Sequence, residues 1–365
     1  MTRTTPLLPR SEDAPYFLAP QHGPRPLPLF LAHLWRESEN DPVLRQKALT
    51  GLRLYQRAKR PETTHLHSVS AQRGAARLLH PYRAQKSAAC ATVLVPSLIN
   101  PPHILDMGGD MSLMRYLAER GHDPWLMDWG TPADEDRDMD LGAHITQRLL
   151  PLLAQIDGPV ILVGYCLGGT MALAAARMIG AQGAATIASP WHFGAYPDED
   201  RALIARIWAE TKPLCERLGY MPMEVLQSGF WALDTARTVR KYAAFADMEP
   251  GGAAHQAFLA VEDWANDGPP LSFAAARELF EDLYGADLTG EGRWSVGGEI
   301  VDPASLPCPS LSIRSMTDRI VPAAASPTLA DEHGSTLGHV GMIVSRHAPQ
   351  QIWLILSQWL SENGG

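Results

Sequence analysis

Pro159-Val-Ile-Leu-Val-Gly-Tyr-Cys-Leu-Gly-Gly-Thr170 decides how the rest of the chain is read. Val160 to Val163 is a short continuous apolar run, the pattern of a strand buried on both faces. The turn Gly164-Tyr-Cys-Leu-Gly168 follows, and from Gly169 to about Met178 the residues are Ala-rich and helix-forming. A strand, a sharp turn and a helix, with a thiol at the tip, present Cys166 as a nucleophile. Gly164 and Gly168 lack Cβ atoms, so strand and helix can pack closely around that residue. With 30 Gly and 4 Cys in 365 residues, chance supplies roughly 0.03 Gly-x-Cys-x-Gly matches. A free cysteine is more often a small buried hydrophobe, but such a residue has no need of flanking glycines.

A nucleophile of this kind needs a base and an orienting acid further along the chain. Pro309-Ser-Leu-Ser-Ile-Arg-Ser-Met-Thr-Asp318 reads as a strand ending in an acid, followed by Arg-Ile-Val-Pro322. Gly338-His339-Val340-Gly341 then precedes an amphipathic helix from about Pro349 to Leu360. Taken singly, Asp318 would pass for a turn cap and His339 for a surface histidine. The order Cys166, Asp318, His339, however, is the nucleophile–acid–histidine order of the α/β-hydrolase fold. A free thiol is largely protonated at neutral pH; His339 can take the proton, and the positive end of the helix favours the thiolate. Asp318 would hold the histidine tautomer and stabilise the imidazolium. The amide of Leu167 is expected as the first oxyanion donor. The second is expected from the loop after the strand Ala91 to Val95, around Ser97 and Leu98. A thiolate suits attack on a thioester, which makes an acyl-CoA a plausible donor.

Length accommodates one such core, an insertion and an N-terminal extension. The net charge of −9 argues against a general nucleic-acid binder. No apolar run reaches transmembrane length, since Leu27 to Leu34 is short and contains Pro28 and His33. The start, Met1-Thr-Arg-Thr-Thr-Pro6, lacks a signal-peptide core. Cys90, Cys166, Cys215 and Cys308 have neither metal-ligand spacing nor disulfide density, which suits a reducing cytoplasm. No metal or other cofactor is expected.

Along the chain, residues 1–28 are Pro-rich and polar, an expected disordered arm. Residues 29–75 read as a helical extension: Leu29 to Arg60 has helical periodicity, with Phe30, Leu34, Leu44, Leu49, Leu52 and Leu54 as apolar positions. Its basic end, Arg53 to Arg60, could meet CoA phosphates or an acidic partner, but a solvated helix face explains it as well. Residues 76–190 and 295–365 form the expected core. Thr92 to Ile99, Pro124 to Trp129, Pro159 to Tyr165 and Ala184 to Ala188 are its strands; Met111 to Glu119 and Leu141 to Ile156 are helices. That alternation predicts an α/β fold, a mostly parallel sheet with helices on both faces. Residues 191–294, rich in Trp and Phe at helical spacing, are the expected helical cap, most simply core packing and as a unit a candidate acyl channel or subunit interface.

These residues resemble the polyhydroxyalkanoate synthases, particularly the short class III type, over roughly residues 92–360. The resemblance rests on Val95-Pro-Ser-Leu-Ile-Asn100 with Ile104-Leu-Asp106, on Gly121-His122 leading to Asp128-Trp-Gly130, and above all on Gly164-Tyr-Cys-Leu-Gly-Gly-Thr170. Asp263-Trp264, Val301-Asp302, Asp318 with Val321-Pro322, and Gly338-His-Val-Gly-Met-Ile-Val-Ser345 follow in order. The resemblance implies an acyltransferase in which Cys166 takes a 3-hydroxyacyl group from CoA with His339 as base. It implies that Asp318 helps to activate the substrate's 3-hydroxyl during elongation. It also implies a second synthase subunit or a homodimer, and a polymer granule surface, as partners. The chain departs from the family pattern where Leu337 replaces the first of two glycines before the histidine. Pro101-Pro102 also stands where a basic and an aromatic residue are common.

The same three residues would serve a Cys-nucleophile hydrolase, either a polyester depolymerase or an acyl-CoA thioesterase. What separates the two is whether water or a hydroxyacyl chain accepts the acyl group. A non-catalytic granule partner is the third reading; its signature would be a missing member of the triad, and none is missing.

Overall fold

The computed structural model describes residues 23–60, 68–82 and 89–364. The chain divides into two units, one built from residues 1–63 with 235–262 and the other from 64–234 with 263–365.

The larger unit holds an eight-stranded sheet: β1 (Val69–Arg73), β2 (Ala76–Leu79), β3 (Ala91–Val95), β4 (Asp123–Asp128), β5 (Val160–Tyr165), β6 (Gly183–Ile187), β7 (Ser310–Ser315) and β8 (Asp331–Ser335). Their spatial order is β1-β2-β4-β3-β5-β6-β7-β8. The β1–β2 and β2–β4 pairs are antiparallel and all the others parallel. Every residue of β3, β5 and β6 is buried, as expected of strands covered on both faces. Alternate residues serve opposite faces. Val93, Val95 and Leu162 join one apolar cluster with Leu149 and Leu173, whereas Leu94, Ile161 and Val163 join another with Leu117 and Ile352. Each such aliphatic side chain contributes about 1.5–3 kcal/mol by leaving water.

On the first face lie the helix 141–153, whose middle turn widens at Ile145–Leu149, and the helix Leu167–Ile179. On the second lie the helix Leu113–Glu119 and the closing helix 349–363. Among the described residues no helix is long and apolar enough to cross a membrane.

Several expected boundaries move. The sheet takes in Val69–Arg73, so the core begins before residue 76; this exposed polar edge strand pairs only with β2 and carries little apolar signal. Asp331–Ser335 is a polar edge strand that the sequence pattern does not mark. The single helix expected from Leu29 to Arg60 is two, α1 (Leu27–Glu37) and α2 (Pro42–Arg57). Pro42 starts the second, capped by Asp41, whose carboxylate accepts the Leu44 amide at 2.9 Å. Of the arm expected over 1–28, residues 1–22 lie outside the described residues, and Leu27 and Pro28 belong to α1.

The segment 191–294 is likewise not one piece. Asp198–Leu218, Met223–Ala232 and 273–285 are helices of the larger unit. Residues 235–262, with Thr235–Phe245 and most of Ala253–Ala265, belong instead with α1 and α2. Aromatic side chains explain the allegiance: Tyr242 packs on Phe30 at 4.8 Å and on Tyr55 at 5.7 Å, and Phe258 on Phe245 at 4.2 Å. A Cβ on Gly51 would lie 1.8 Å from the Tyr242 carbonyl oxygen, so only glycine allows that helix contact. Arg60 turns back on the end of α2, donating to the carbonyls of Tyr55 (2.6 Å) and Ala58 (2.8 Å).

Candidate active site

Cys166 stands between β5 and the helix Leu167–Ile179 with φ 56° and ψ −134°. That is a strained, positive-φ conformation for a non-glycine residue. The surrounding backbone holds it there: the Cys166 amide donates to the Ile187 carbonyl at 3.0 Å and its carbonyl accepts from Gly169 at 2.9 Å. The two flanking glycines are required by close approach. A Cβ on Gly164 would lie 2.2 Å from Gly169 Cα, and one on Gly168 would lie 2.2 Å from the Val95 carbonyl oxygen. Real Cβ atoms do not come so close, so strand and helix could not meet with any larger residue.

The loops after β7 and β8 bring the other two residues together. Ser315 Oγ donates to the Leu337 carbonyl at 2.5 Å, and Thr317 Oγ1 to the Thr336 carbonyl at 2.9 Å. Asp318 Oδ1 accepts the amides of Ile320 (2.7 Å) and Val321 (3.1 Å), which aims Oδ2 at His339 Nδ1, 2.6 Å away. Asp318 and His339 are both buried. The Tyr165 hydroxyl donates to the His339 carbonyl at 3.4 Å. Leu337 in place of glycine costs the loop nothing visible: its side chain packs against the second apolar cluster.

Burial works against the charged form of His339, but the Asp318 carboxylate and then the Cys166 thiolate outweigh it. Their charges and hydrogen bonds push the imidazole up to about 10. The site therefore favours a protonated His339 held between Asp318 and Cys166, the partner that a thiol nucleophile needs.

Leu167 opens the helix, so its amide has no acceptor within the helix, and its side chain lines the same cavity as Cys166. Ser97 and Leu98 follow β3 and are buried beside the turn. Trp129 Nε1 anchors that loop through the Pro96 carbonyl at 2.9 Å, and Ser97 Oγ accepts the Ile99 amide at 3.1 Å. Ser97 and Leu98 line a neighbouring cavity of about 640 Å³, together with Asn100 and Asp128. Cys166 faces a smaller one, of about 70 Å³, walled by Ile99, Phe193, Val225, Phe230, Leu279 and Phe280. The wall also holds two phenols, Tyr196 and Tyr284. Tyr196 carried no motif in the sequence. Its signal was positional, since it falls in the loop after the carboxyl end of β6, where this fold gathers its functional loops.

No protein-family model matches the chain. The poly(3-hydroxyalkanoate) polymerase subunit PhaC of Allochromatium vinosum is 27% identical over 301 residues, covering 77% of this chain and 83% of that protein. The protein of the same name from Haloferax mediterranei is 27% identical over 297 residues, 74% of this chain but only 58% of its own length. The one from Haloarcula marismortui is 25% identical, and 60% of its length is matched. The chain thus spans less than two thirds of the two haloarchaeal relatives. Among solved structures, a lipase in its open form superposes with a TM-score of 0.51 at 15% identity, over 81% of this chain and 97% of the lipase. The chain has the α/β-hydrolase fold, and its sequence is similar to that of the poly(3-hydroxyalkanoate) polymerase subunit PhaC.

Proposed function

We propose that the chain is a Cys-dependent acyltransferase that polymerises (R)-3-hydroxyacyl-CoA into polyhydroxyalkanoate with release of CoA. The observation that carries this reading is a strained cysteine backed by a buried Asp318–His339 pair and facing an apolar cavity. The similarity to PhaC over three quarters of the chain supports a hydroxyalkanoate as the substrate class. In the first step the Cys166 thiolate attacks the thioester carbonyl. The oxyanion takes the Leu167 amide, with the Ser97–Leu98 loop as the second donor. The carbon–sulfur bond to CoA breaks, the His339 imidazolium protonates the leaving thiolate, and the acyl group remains on Cys166.

In the second step neutral His339 removes the proton from the hydroxyl of a hydroxyacyl chain, and that oxygen attacks the acyl-Cys166 thioester. An ester bond forms, and the Cys166 thiolate and the imidazolium return. Asp318 keeps Nδ1–H of His339 pointed at itself, so that Nε2 serves the thiol and then the hydroxyl. The apolar wall favours transfer over hydrolysis by keeping water scarce. A second synthase subunit or a homodimer, a polymer granule surface and a cytoplasmic location belong to the same reading; light scattering on the purified chain tests self-association.

Incubation with 3-hydroxybutyryl-CoA and mass analysis of the acyl product tests the reaction. Oligomer or polymer is expected. Free 3-hydroxybutyrate as the sole product would make the chain a hydrolase using the same three residues.

A further inference from the structure

The cavity facing Cys166 is apolar except for two phenols. Tyr196 and Tyr284 stand side by side in its wall, ring centroids 5.2 Å apart and inclined at 66°. The Tyr196 hydroxyl is buried and has no hydrogen-bond partner among the described residues. The Tyr284 phenol lies near enough to disfavour its ionisation through charge and a weak hydroxyl–hydroxyl contact. That contact falls short of hydrogen-bond geometry and leaves the Tyr196 proton free to turn to a better acceptor. Burial, before any neighbouring charge, holds both hydroxyls well above the ordinary tyrosine range, so each remains a neutral donor. Buried polar groups are nearly always paired, and one left open within a functional cavity is a place for a ligand atom.

The loop that carries Tyr196 is pinned. Asp287, itself at φ 46°, accepts the Phe193 amide at 2.7 Å and the Gly290 amide at 3.1 Å. The Trp191 amide donates to the Ala325 carbonyl at 2.6 Å, and the Phe193 ring stacks on Tyr196 at 5.8 Å. The phenol is thereby held in place before any substrate arrives, which is what selective hydrogen bonding requires.

We infer that Tyr196 is a specificity-determining residue whose hydroxyl donates to the 3-oxygen of the acyl group on Cys166. It thereby selects 3-hydroxyacyl chains over unsubstituted ones. This rests on the acyl-transfer reading above. The carbonyl oxygen of the acyl group is already assigned to the Leu167 amide and the Ser97–Leu98 loop. A donor elsewhere in the same cavity therefore serves a second oxygen, and in a 3-hydroxyacyl group that is the 3-hydroxyl. A site with a committed donor rejects analogues that leave it unpaired far better than an apolar pocket rejects a missing methylene.

The test measures acylation of Cys166 in the full chain by intact mass, with 3-hydroxybutyryl-CoA and with butyryl-CoA, for wild type and Tyr196→Phe. Wild type should prefer the hydroxylated thioester, and the variant should lose about tenfold or more of that preference. Its melting temperature should change little, because the hydroxyl has no partner at hydrogen-bond geometry among the described residues. Equal rates with both thioesters in wild type would overturn the inference while leaving acyl transfer intact. So would an unchanged preference in the variant, or an equal slowing with both thioesters accompanied by a lower melting temperature. No acylation of wild type by either thioester would overturn acyl transfer itself, and the inference with it.

Discussion

His339 Nδ1 and Asp318 Oδ2 lie 2.6 Å apart in a site closed to solvent, and the same carboxylate is fixed from behind by the amides of Ile320 and Val321. The loop amides thus take one carboxylate oxygen and leave the other for His339. Asp318→Asn keeps an oxygen for the two amides but replaces the charged acceptor. Acylation by 3-hydroxybutyryl-CoA, followed as CoA release, should fall about 10³–10⁴-fold while circular dichroism stays unchanged. The His339 ring should then titrate near its ordinary range instead of at about 10, as read by NMR of the imidazole protons.

The raised His339 also has a signature in stability. Its protonated form is favoured in the folded state, so this contribution is fully present below about 6.5, the ordinary value. It is lost progressively as pH rises toward 10. Denaturant midpoints should therefore fall between pH 7 and pH 10 in wild type more steeply than in His339→Gln. Parallel slopes in the two proteins would contradict the placement of charge described above.

Cys166 holds a backbone conformation that glycine adopts without strain. Cys166→Gly should abolish acylation yet leave the melting temperature at or above that of wild type. Release of about 1–3 kcal/mol of strain offsets the extra freedom of glycine in the unfolded chain. A clear loss of stability would mean that the thiol, not the backbone, holds the turn together.

Gly168→Ala puts a Cβ 2.2 Å from the Val95 carbonyl oxygen, and that neighbour is backbone with nowhere to go. Overpacking of this kind should cost about 3 kcal/mol, read as a lower denaturant midpoint. Acylation should fail even in the fraction that folds, because the helix start and the Leu167 amide are displaced.

Trp129→Phe removes the indole donor to the Pro96 carbonyl and little else from the loop that bears Ser97 and Leu98. Acylation should slow by about tenfold, with KM for 3-hydroxybutyryl-CoA little changed, as for an interaction that matters most in the transition state. A change confined to KM would mean that Trp129 acts on substrate binding, through the neighbouring cavity it also lines, and not on the transition state.

How much of this was legible before the fold was known differs from residue to residue. Cys166 was legible because strand, turn and helix are contiguous and the glycines are an absolute steric need. Asp318 and His339 could be chosen because each closes a recognisable strand or opens a recognisable helix. β1 and β8 were not legible, since edge strands bury little and carry no apolar pattern.

Local sequence, then, determined the elements whose cause is local: the buried strands, the strained turn, the helix starts and the turn and loops that carry Cys166, Asp318 and His339. Tertiary structure alone decided what depends on meeting a distant partner. Residues 235–262 joined the N-terminal helices because Tyr242 and Phe258 pack with Phe30, Tyr55 and Phe245, a pairing no window of sequence displays. Tyr196 reached the cavity of Cys166 with its hydroxyl unpaired because burial, and the partners available once buried, are properties of the assembled core and not of any segment within it.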